Sequence, residues 1–478
     1  MSEFTAHDHE LPIGAESVTT GTWIDVRSPY DGAPLGRVPA CTDVEVDRAV
    51  AAARARLDDP MPAWKRAEIL DRAARAVASH VEELAGVIAR EAAKPIATAR
   101  VEAQRAVSTF TFAALAARTL AGEMVPMDAS AAGEGKLAFT LRVPVGVIGA
   151  ISPFNFPLNL VAHKVAPAIA AGAPIVLKPA SQTPLSALAL ARILHEECDL
   201  PRGFLNVVTG GGGTVGSAIV DHDDIAMITF TGSPEVGWGI KSRAPRKRVG
   251  LELGNNAPLI VEPSADLDVV AAKVKVAGFS HAGQSCISTQ RIYAHDAIAD
   301  ALVDRIVPLV ESLRVGDPLD ESTEVSALIS TGERDRVASW VDEAVAAGAR
   351  LACGGRIRAD GVLEPTVLID AKPDMKVCAL EVFGPVVTVQ RYSALGDAIA
   401  LANDSRYGLQ AAIFTSDLTD ALLAARTLDF GGVLVNEVPT FRADQQPYGG
   451  LRDSGNTREG PQWAVREMTD ERIIIIQL

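Results

Sequence analysis

From Val145 onward the chain alternates short apolar, β-branched runs with helical stretches, and this alternation constrains the fold more than any other feature. VGVIGAI (145–151), APIVLK (173–178), FLNVV (204–208), AMITF (226–230) and RVGLEL (248–253) read as strands. Helical stretches separate them, among them PLSALALARILHEE with proline in its first turn. Strands joined by helices of this length predict a parallel, doubly wound sheet. After Asn255 the alternation resumes with PLIVE, a helix from Asp266 and QRIYA, so a second α/β lobe begins near there. Upstream, residues 43–120 carry apolar positions at three- and four-residue spacing and read as helix, broken at Lys94-Pro95. The first 40 residues are turn-rich. Segment 120–142 and the tail RIIIIQL stand outside both alternations. An apolar terminal strand needs a partner, and both segments read as a β-arm used in subunit pairing.

A chain of 478 residues and 50.2 kDa, 48% hydrophobic and 22% charged, has ample material for a large core. Its formal charge of -15 argues against nucleic-acid binding. With no apolar run of membrane length and no signal-peptide pattern in MSEFTAHDHE, the expectation is a cytoplasmic protein without membrane attachment. Cys41, Cys198, Cys286, Cys353 and Cys378 are scattered without a C-x-x-C pair, so neither disulfides nor a metal site is expected.

Three residue types point to chemistry. Cys286, in HAGQSCIS, is surrounded by small residues; most free cysteines are inert, but a thiolate attacks carbonyl carbon readily. Glu252 ends the strand in LELGNN, where a glutamate is ordinarily solvated; facing Cys286 it can take a proton from the thiol or from water. Asn155, in SPFNFP, sits in a turn where asparagine commonly caps local backbone; its amide is also a suitable donor to a developing oxyanion.

Together these residues are where the chain resembles the aldehyde dehydrogenase superfamily. SPFNFP (152–157), VLKPASQTP (176–184), FTGSPEVG (230–237), LELG (251–254), GQSC (283–286), EVFGP (381–385) and PYGGLRDSG (447–455) stand in that family's order. The resemblance implies an aldehyde dehydrogenase-like α/β fold: a Rossmann-type cofactor lobe (1–118 and 142–250), an α/β catalytic lobe (251–445), and a small β oligomerisation arm (119–141 and 446–478). It implies that Cys286 attacks an aldehyde, that Asn155 and the Cys286 N–H hold the thiohemiacetal oxyanion, and that Glu252 activates the water that releases the acid from a thioester. Lys164 matches a family lysine near the active site, with a snorkelling surface lysine as the alternative. A homodimer or homotetramer follows from the same resemblance.

For the cofactor, Gly211–Gly216 formally satisfies G-x-G-x-x-G, with Gly211 and Thr214 as candidate contacts, although so loose a glycine run matches easily. The resemblance places more weight on Gly232, Ser233 and Gly237, at a helix start suited to pyrophosphate. It adds Ile151, Ser152 and Pro153, with Glu381 on the nicotinamide ribose and Phe383 against the ring. Lys178 and Ser181 bear on NAD versus NADP. Many NAD-preferring members carry glutamate where Ser181 stands, and a neutral hydroxyl beside Lys178 favours NADP. KPASQTP resembles NADP-using succinic semialdehyde dehydrogenases.

The chain also departs from those relatives. Their carboxylate-binding arginines are His163 and Ser280 here, which disfavours succinic semialdehyde. Phe156, Asn159, His163, Ser285, Ile287 and Phe441 form the implied substrate pocket, a mix suited to a short or hydroxylated aldehyde, with Arg442 also in the closing loop. Asn255 replaces the second glycine of LELGG, predicting a left-handed turn held with some strain. CoA-acylating relatives lack the glutamate matching Glu252, so its presence favours water; a non-catalytic protein on the same fold would be marked by loss of Cys286, Glu252 or Asn155, and all three are present.

Overall fold

The structure is a computed structural model and describes residues 6–478. The expected strands form at Val147–Ile151, Ile175–Lys178, Leu205–Val207, Ile225–Thr231 and Arg248–Glu252. All pair in parallel, in the spatial order Leu205–Val207, Ile175–Lys178, Val147–Ile151, Ile225–Thr231, Arg248–Glu252. The chain order reverses at Val147–Ile151, next to Ile225–Thr231. In such sheets ligands bind outside the carboxyl ends of the strands flanking that reversal.

A second, seven-stranded sheet carries the resumed alternation. Its order is Arg350–Cys353, Thr366–Ile369, Val386–Tyr392, Arg291–His295, Pro258–Val261, Gln410–Phe414, Gly432–Val435, antiparallel only at the first pair. Each sheet has its own apolar core. One is built from residues between Leu11 and Leu253 together with Val465 and Met468, the other from residues between Leu259 and Val438.

The helical region 43–120 is four α-helices, and Lys94-Pro95 lies in the gap between Val81–Ala92 and Ile96–Thr119. Two buried carboxylates tie these helices to the sheet layer. Glu91 accepts the N–H groups of Leu185 and Ser186 at 2.7 and 2.9 Å, at the start of helix Leu185–Glu196. Glu102 accepts those of Leu158 and Asn159 at 2.9 and 3.1 Å, at the start of helix Asn159–Ala171, and pairs with the buried Lys94. Neither helix has a side-chain cap of its own, so a carboxylate from outside satisfies donors that would otherwise be orphaned and suits the positive end of the dipole. Glu102 thereby anchors the loop that carries Asn155.

Outside both sheets, Thr469–Gln477 pairs antiparallel with Lys136–Pro144 along nine residues, and Met124–Val125 adds a short third strand. The paired strand runs past the expected limit at 141. Of 446–478, only the final strand lies in this arm. Helix Pro461–Glu467 packs instead on the helices of the first core, because Val465 is apolar and buried there.

Candidate active site

A cavity of about 570 Å³ opens at the carboxyl ends of Val147–Ile151, Ile225–Thr231 and Arg248–Glu252. One wall is the turns leaving those strands, with Ile151, Ser152, Pro153 and Asn155 after the first, Gly232 and Ser233 after the second, and Glu252 ending the third. The facing wall brings Gln284, Cys286, Glu381 and Phe383, and the closing segment adds Arg442, Tyr448 and Glu459. Residues separated by some 300 positions in the chain thus surround one thiol.

Cys286 follows helix Leu267–Phe279, whose first turn is capped by Asp266. The chain then turns through His281, Ala282 and Gly283 at φ of 50°, 53° and 71°. Left-handed backbone is costly for the first two, and surrounding packing must hold it. A side chain at Gly283 would collide with the Gly384 carbonyl, so the thiol loop lies directly on the turn carrying Glu381 and Phe383. Ile287, Leu409 and Tyr448 make an apolar wall around Cys286, and the Tyr448 hydroxyl lies 3.0 Å from Sγ. Burial pushes the thiol pKa up to about 12, against the opposing effect of the Tyr448 hydrogen bond. Asn155 Nδ2 donates to the Gln284 carbonyl at 2.9 Å, which brings its amide to the peptide run leading into Cys286.

Glu252 is buried, and neither of its carboxyl oxygens has a hydrogen-bond partner. Burial, then the nearby Glu459, raises its pKa well above the usual carboxylate range. Glu459 goes the other way. Burial opposes its ionisation but is outweighed by Arg442, whose Nη2 donates to it at 2.9 Å, and by Lys164 at 3.6 Å. Two neighbouring carboxylates whose surroundings push them apart can divide base and counter-ion roles. Lys164 is no snorkelling lysine: it is 1% exposed and its Nζ donates to Thr229 and Thr231 at 3.1 and 2.8 Å.

The cofactor candidates fall into two groups. Ile151, Ser152, Pro153, Gly232, Ser233, Glu381 and Phe383 line the cavity. Lys178, Ser181, Gly211 and Thr214 gather beyond it, where Ser181 Oγ donates to the Gly210 carbonyl at 2.9 Å and Thr214 Oγ1 to that of Gly211 at 3.3 Å. Burial brings the Lys178 pKa down to about 8. Gly237 belongs to neither group. A Cβ there would lie 2.5 Å from Leu253, so this glycine allows helix Pro234–Arg243 to pack on the Arg248–Glu252 side of the sheet.

These residues fit a dinucleotide. Helix Pro234–Arg243 begins without a side-chain cap at the cavity wall, leaving backbone donors for a pyrophosphate. Nothing lies within 4 Å of where a Cβ would stand on Gly212 or Gly213, which leaves space for close approach. Phe383 is held at φ 50° with its ring edge-on to Phe154 at 5.8 Å. Glu381 accepts the Asn255 N–H at 2.9 Å, and burial pushes its pKa up to about 7. Asn255 itself is not among the positive-φ residues, so the expected left-handed strain is absent. Its side chain instead donates to the Gln410 carbonyl at 3.2 Å.

None of the six substrate-pocket candidates lines the cavity itself, although Ile287 packs against Cys286 and Tyr448, which do. Asn159 and His163 are engaged behind it by Asp444, at 3.2 and 3.0 Å, and Asp444 also pairs with Arg105 at 2.9 Å. Phe156 lies under the Lys94 ammonium, 3.7 Å from its ring centre. Ile287 packs in the wall beside Tyr448, Ser285 is buried, and Phe441 is half exposed. What sequence reasoning missed is Tyr448 and Glu459, and the central place of Arg442. Tyr448 stands within the closing motif PYGGLRDSG, and Arg442 and Glu459 flank it on either side.

A thiol, a buried unpaired carboxyl and a side-chain amide thus stand around one crevice at the strand ends. The aldehyde dehydrogenase family model matches residues 16–474. A 3-sulfolactaldehyde dehydrogenase of Priestia aryabhattai is 44% identical over 468 residues, 98% of each chain. Aldehyde dehydrogenase 21 of Physcomitrella patens, solved with the reaction product succinate, matches at a TM-score of 0.96 and 38% identity, over 99% of each chain. The glyceraldehyde-3-phosphate dehydrogenase GapN of Methanocaldococcus jannaschii, solved with NADP, matches at 0.92 and 39%, over 96% of this chain and 100% of that one. The chain belongs to the aldehyde dehydrogenase family and is an NAD(P)-dependent oxidoreductase that converts an aldehyde to a carboxylic acid.

Proposed function

We propose that Cys286 is the nucleophile of this oxidation and that the substrate is a short aldehyde with an anionic group at its far end. The thiol proton passes to Glu252 as Sγ bonds to the carbonyl carbon, and the raised Glu252 pKa makes its carboxylate the stronger base. Asn155 Nδ2 and the Cys286 N–H hold the oxyanion. Phe383 and the strand-end turns would hold an oxidised nicotinamide, which would supply the hydride acceptor. Glu252 gives up the thiol proton to solvent, and its carboxylate then takes a proton from the water that attacks the Cys286 thioester, with the thiolate leaving. The presence of Glu252 on the same cavity as Cys286 favours water over CoA as the acyl acceptor.

Arg442 carries the substrate reading. It lines the cavity with the thiol, and its Nε has no partner. The cation missing at His163 and Ser280 is therefore available from the closing loop. Part of the relatives' names agree in kind, since sulfolactaldehyde, glyceraldehyde 3-phosphate and the precursor of succinate each carry an acidic group beyond the aldehyde, whereas the lactaldehyde of other relatives is neutral. NADP is favoured over NAD by a lysine at 178 together with a neutral hydroxyl, in place of glutamate, at 181. The cofactor lobe is the five-stranded sheet with its helices, and the catalytic lobe is the seven-stranded one. Exposed Ile473, Ile475 and Ile476 on the arm support a homodimer or homotetramer, and five unpaired cysteines support a cytoplasmic location.

The test is reduced-nicotinamide formation from 3-sulfolactaldehyde, succinic semialdehyde, glyceraldehyde 3-phosphate, lactaldehyde and propanal, with NADP and NAD separately and without CoA. Anionic aldehydes are expected to give the highest kcat/KM, and Cys286→Ala to lose turnover by about 10⁴-fold or more. Equal rates with propanal would overturn the substrate class, and activity only with CoA would overturn the role of Glu252.

A further inference from the structure

We propose that Tyr448 is a further catalytic residue, donating its hydroxyl proton in a hydrogen bond to Cys286 Sγ and stabilising the sulfur whenever it carries negative charge. The inference rests on the reading of Cys286 as the nucleophile. The hydroxyl is 3.0 Å from Sγ, and the tyrosine is 3% exposed, so no bulk solvent competes for the contact. The phenol is held in place from both sides of its backbone: Tyr448 N–H donates to Glu459 O at 3.1 Å and Glu459 N–H to Tyr448 O at 2.6 Å. Gly449 follows, and a side chain there would collide with the Thr457 carbonyl, so the glycine permits this close rung.

Two features set the direction of the bond. The Arg442 guanidinium lies over the Tyr448 ring, 3.7 Å from its centre, and a cation on that face draws electron density from the phenol and strengthens it as a donor. The charged and titratable groups acting on Cys286 are Tyr448, Glu381, Arg442 and Glu252. Glu381 and Glu252 oppose a thiolate and Arg442 favours it, with the Tyr448 hydroxyl the group in hydrogen-bond contact. The hydroxyl keeps its own proton throughout; the thiol proton goes to Glu252. The same bond serves twice, first when Sγ becomes a nucleophile and again when it leaves the hydrolysed thioester.

The experiment is alkylation of Cys286 by iodoacetamide in cofactor-free protein from pH 6 to 11, followed at that residue by mass spectrometry, in wild type and Tyr448→Phe. Alkylation forms the S–C bond from the thiolate and releases iodide, so its pH profile reports the thiolate. Phenylalanine keeps the ring and removes only the hydroxyl. The thiolate population of Tyr448→Phe on the rising limb of the profile is expected to fall about tenfold, the effect of one hydrogen bond to a charged group. The rate at pH 8 should fall only about threefold, because a less stabilised thiolate is the better nucleophile. With aldehyde, kcat should fall while KM holds. An unchanged profile would overturn the proposal, and a downward shift would overturn it by showing that the hydroxyl accepts from the thiol. Dehydrogenase activity surviving in Cys286→Ala would instead overturn the nucleophile reading, which the alkylation profile does not touch.

Discussion

The two sides of the Cys286 thiol are built differently. On the cofactor side, the wall comes from turns at strand ends, each a run of a few consecutive residues: Ile151 to Asn155, Phe230 to Glu235, Leu253 to Gly254. On the other side, Glu252, Lys164, Arg442, Tyr448 and Glu459 come together from four stretches of chain and hold one another by charge. The first arrangement tolerates change one turn at a time. The second is a network, in which removing one member leaves another charge buried without its partner.

The sharpest test of that difference is Glu252→Gln. It removes the base of both thiol attack and thioester hydrolysis while leaving the cofactor turns intact, so steady-state kcat should fall by about 10²–10⁴-fold while nucleotide affinity, read by binding titration, holds. Loss of cofactor binding instead would mean that the two walls are not separable.

Next in size is Arg442→Met. Glu459 would lose its guanidinium partner in a buried site, and the expected cost is about 3–5 kcal/mol of unfolding free energy, read from denaturant unfolding. The same variant should raise KM for anionic aldehydes and leave that for propanal nearly unchanged. Stability equal to wild type would show that the charged cluster is a collection of independent residues.

The smallest effect lies on the cofactor side. The Lys178 pKa is lowered to about 8, so its ammonium is present below that pH and lost above it. A 2′-phosphate favours the charged form. NADP affinity should therefore hold up to about pH 8 and then weaken by at most about tenfold per pH unit, while NAD affinity stays level. Titration of nicotinamide-nucleotide binding between pH 7 and 10 would measure it. Parallel behaviour of the two nucleotides would remove Lys178 from phosphate recognition.

These two walls also differ in how far the sequence reveals them. The alternation from Val145 is carried by local residue types, and the strands at Val147–Ile151 through Arg248–Glu252 form where β-branched runs predict them. Cys286, Glu252 and Asn155 sit in recognisable motifs and meet at one cavity. Lys164 is different. Its sequence allows a surface lysine equally well, and only packing against Thr229 and Thr231 buries it. Asn159 and His163 read as pocket residues because the family resemblance implies it. Asp444, 281 residues from His163, turns both into a buried hydrogen-bonded pair behind the wall.

The sequence by itself therefore determined the parallel sheets and the motifs that carry Cys286, Glu252 and Asn155, since period, turn chemistry and short motifs are local properties. Tertiary structure alone decided which charges face the thiol. Burial and Coulomb coupling depend on distances between residues such as Glu252 and Glu459, and spacing along the chain does not encode those distances.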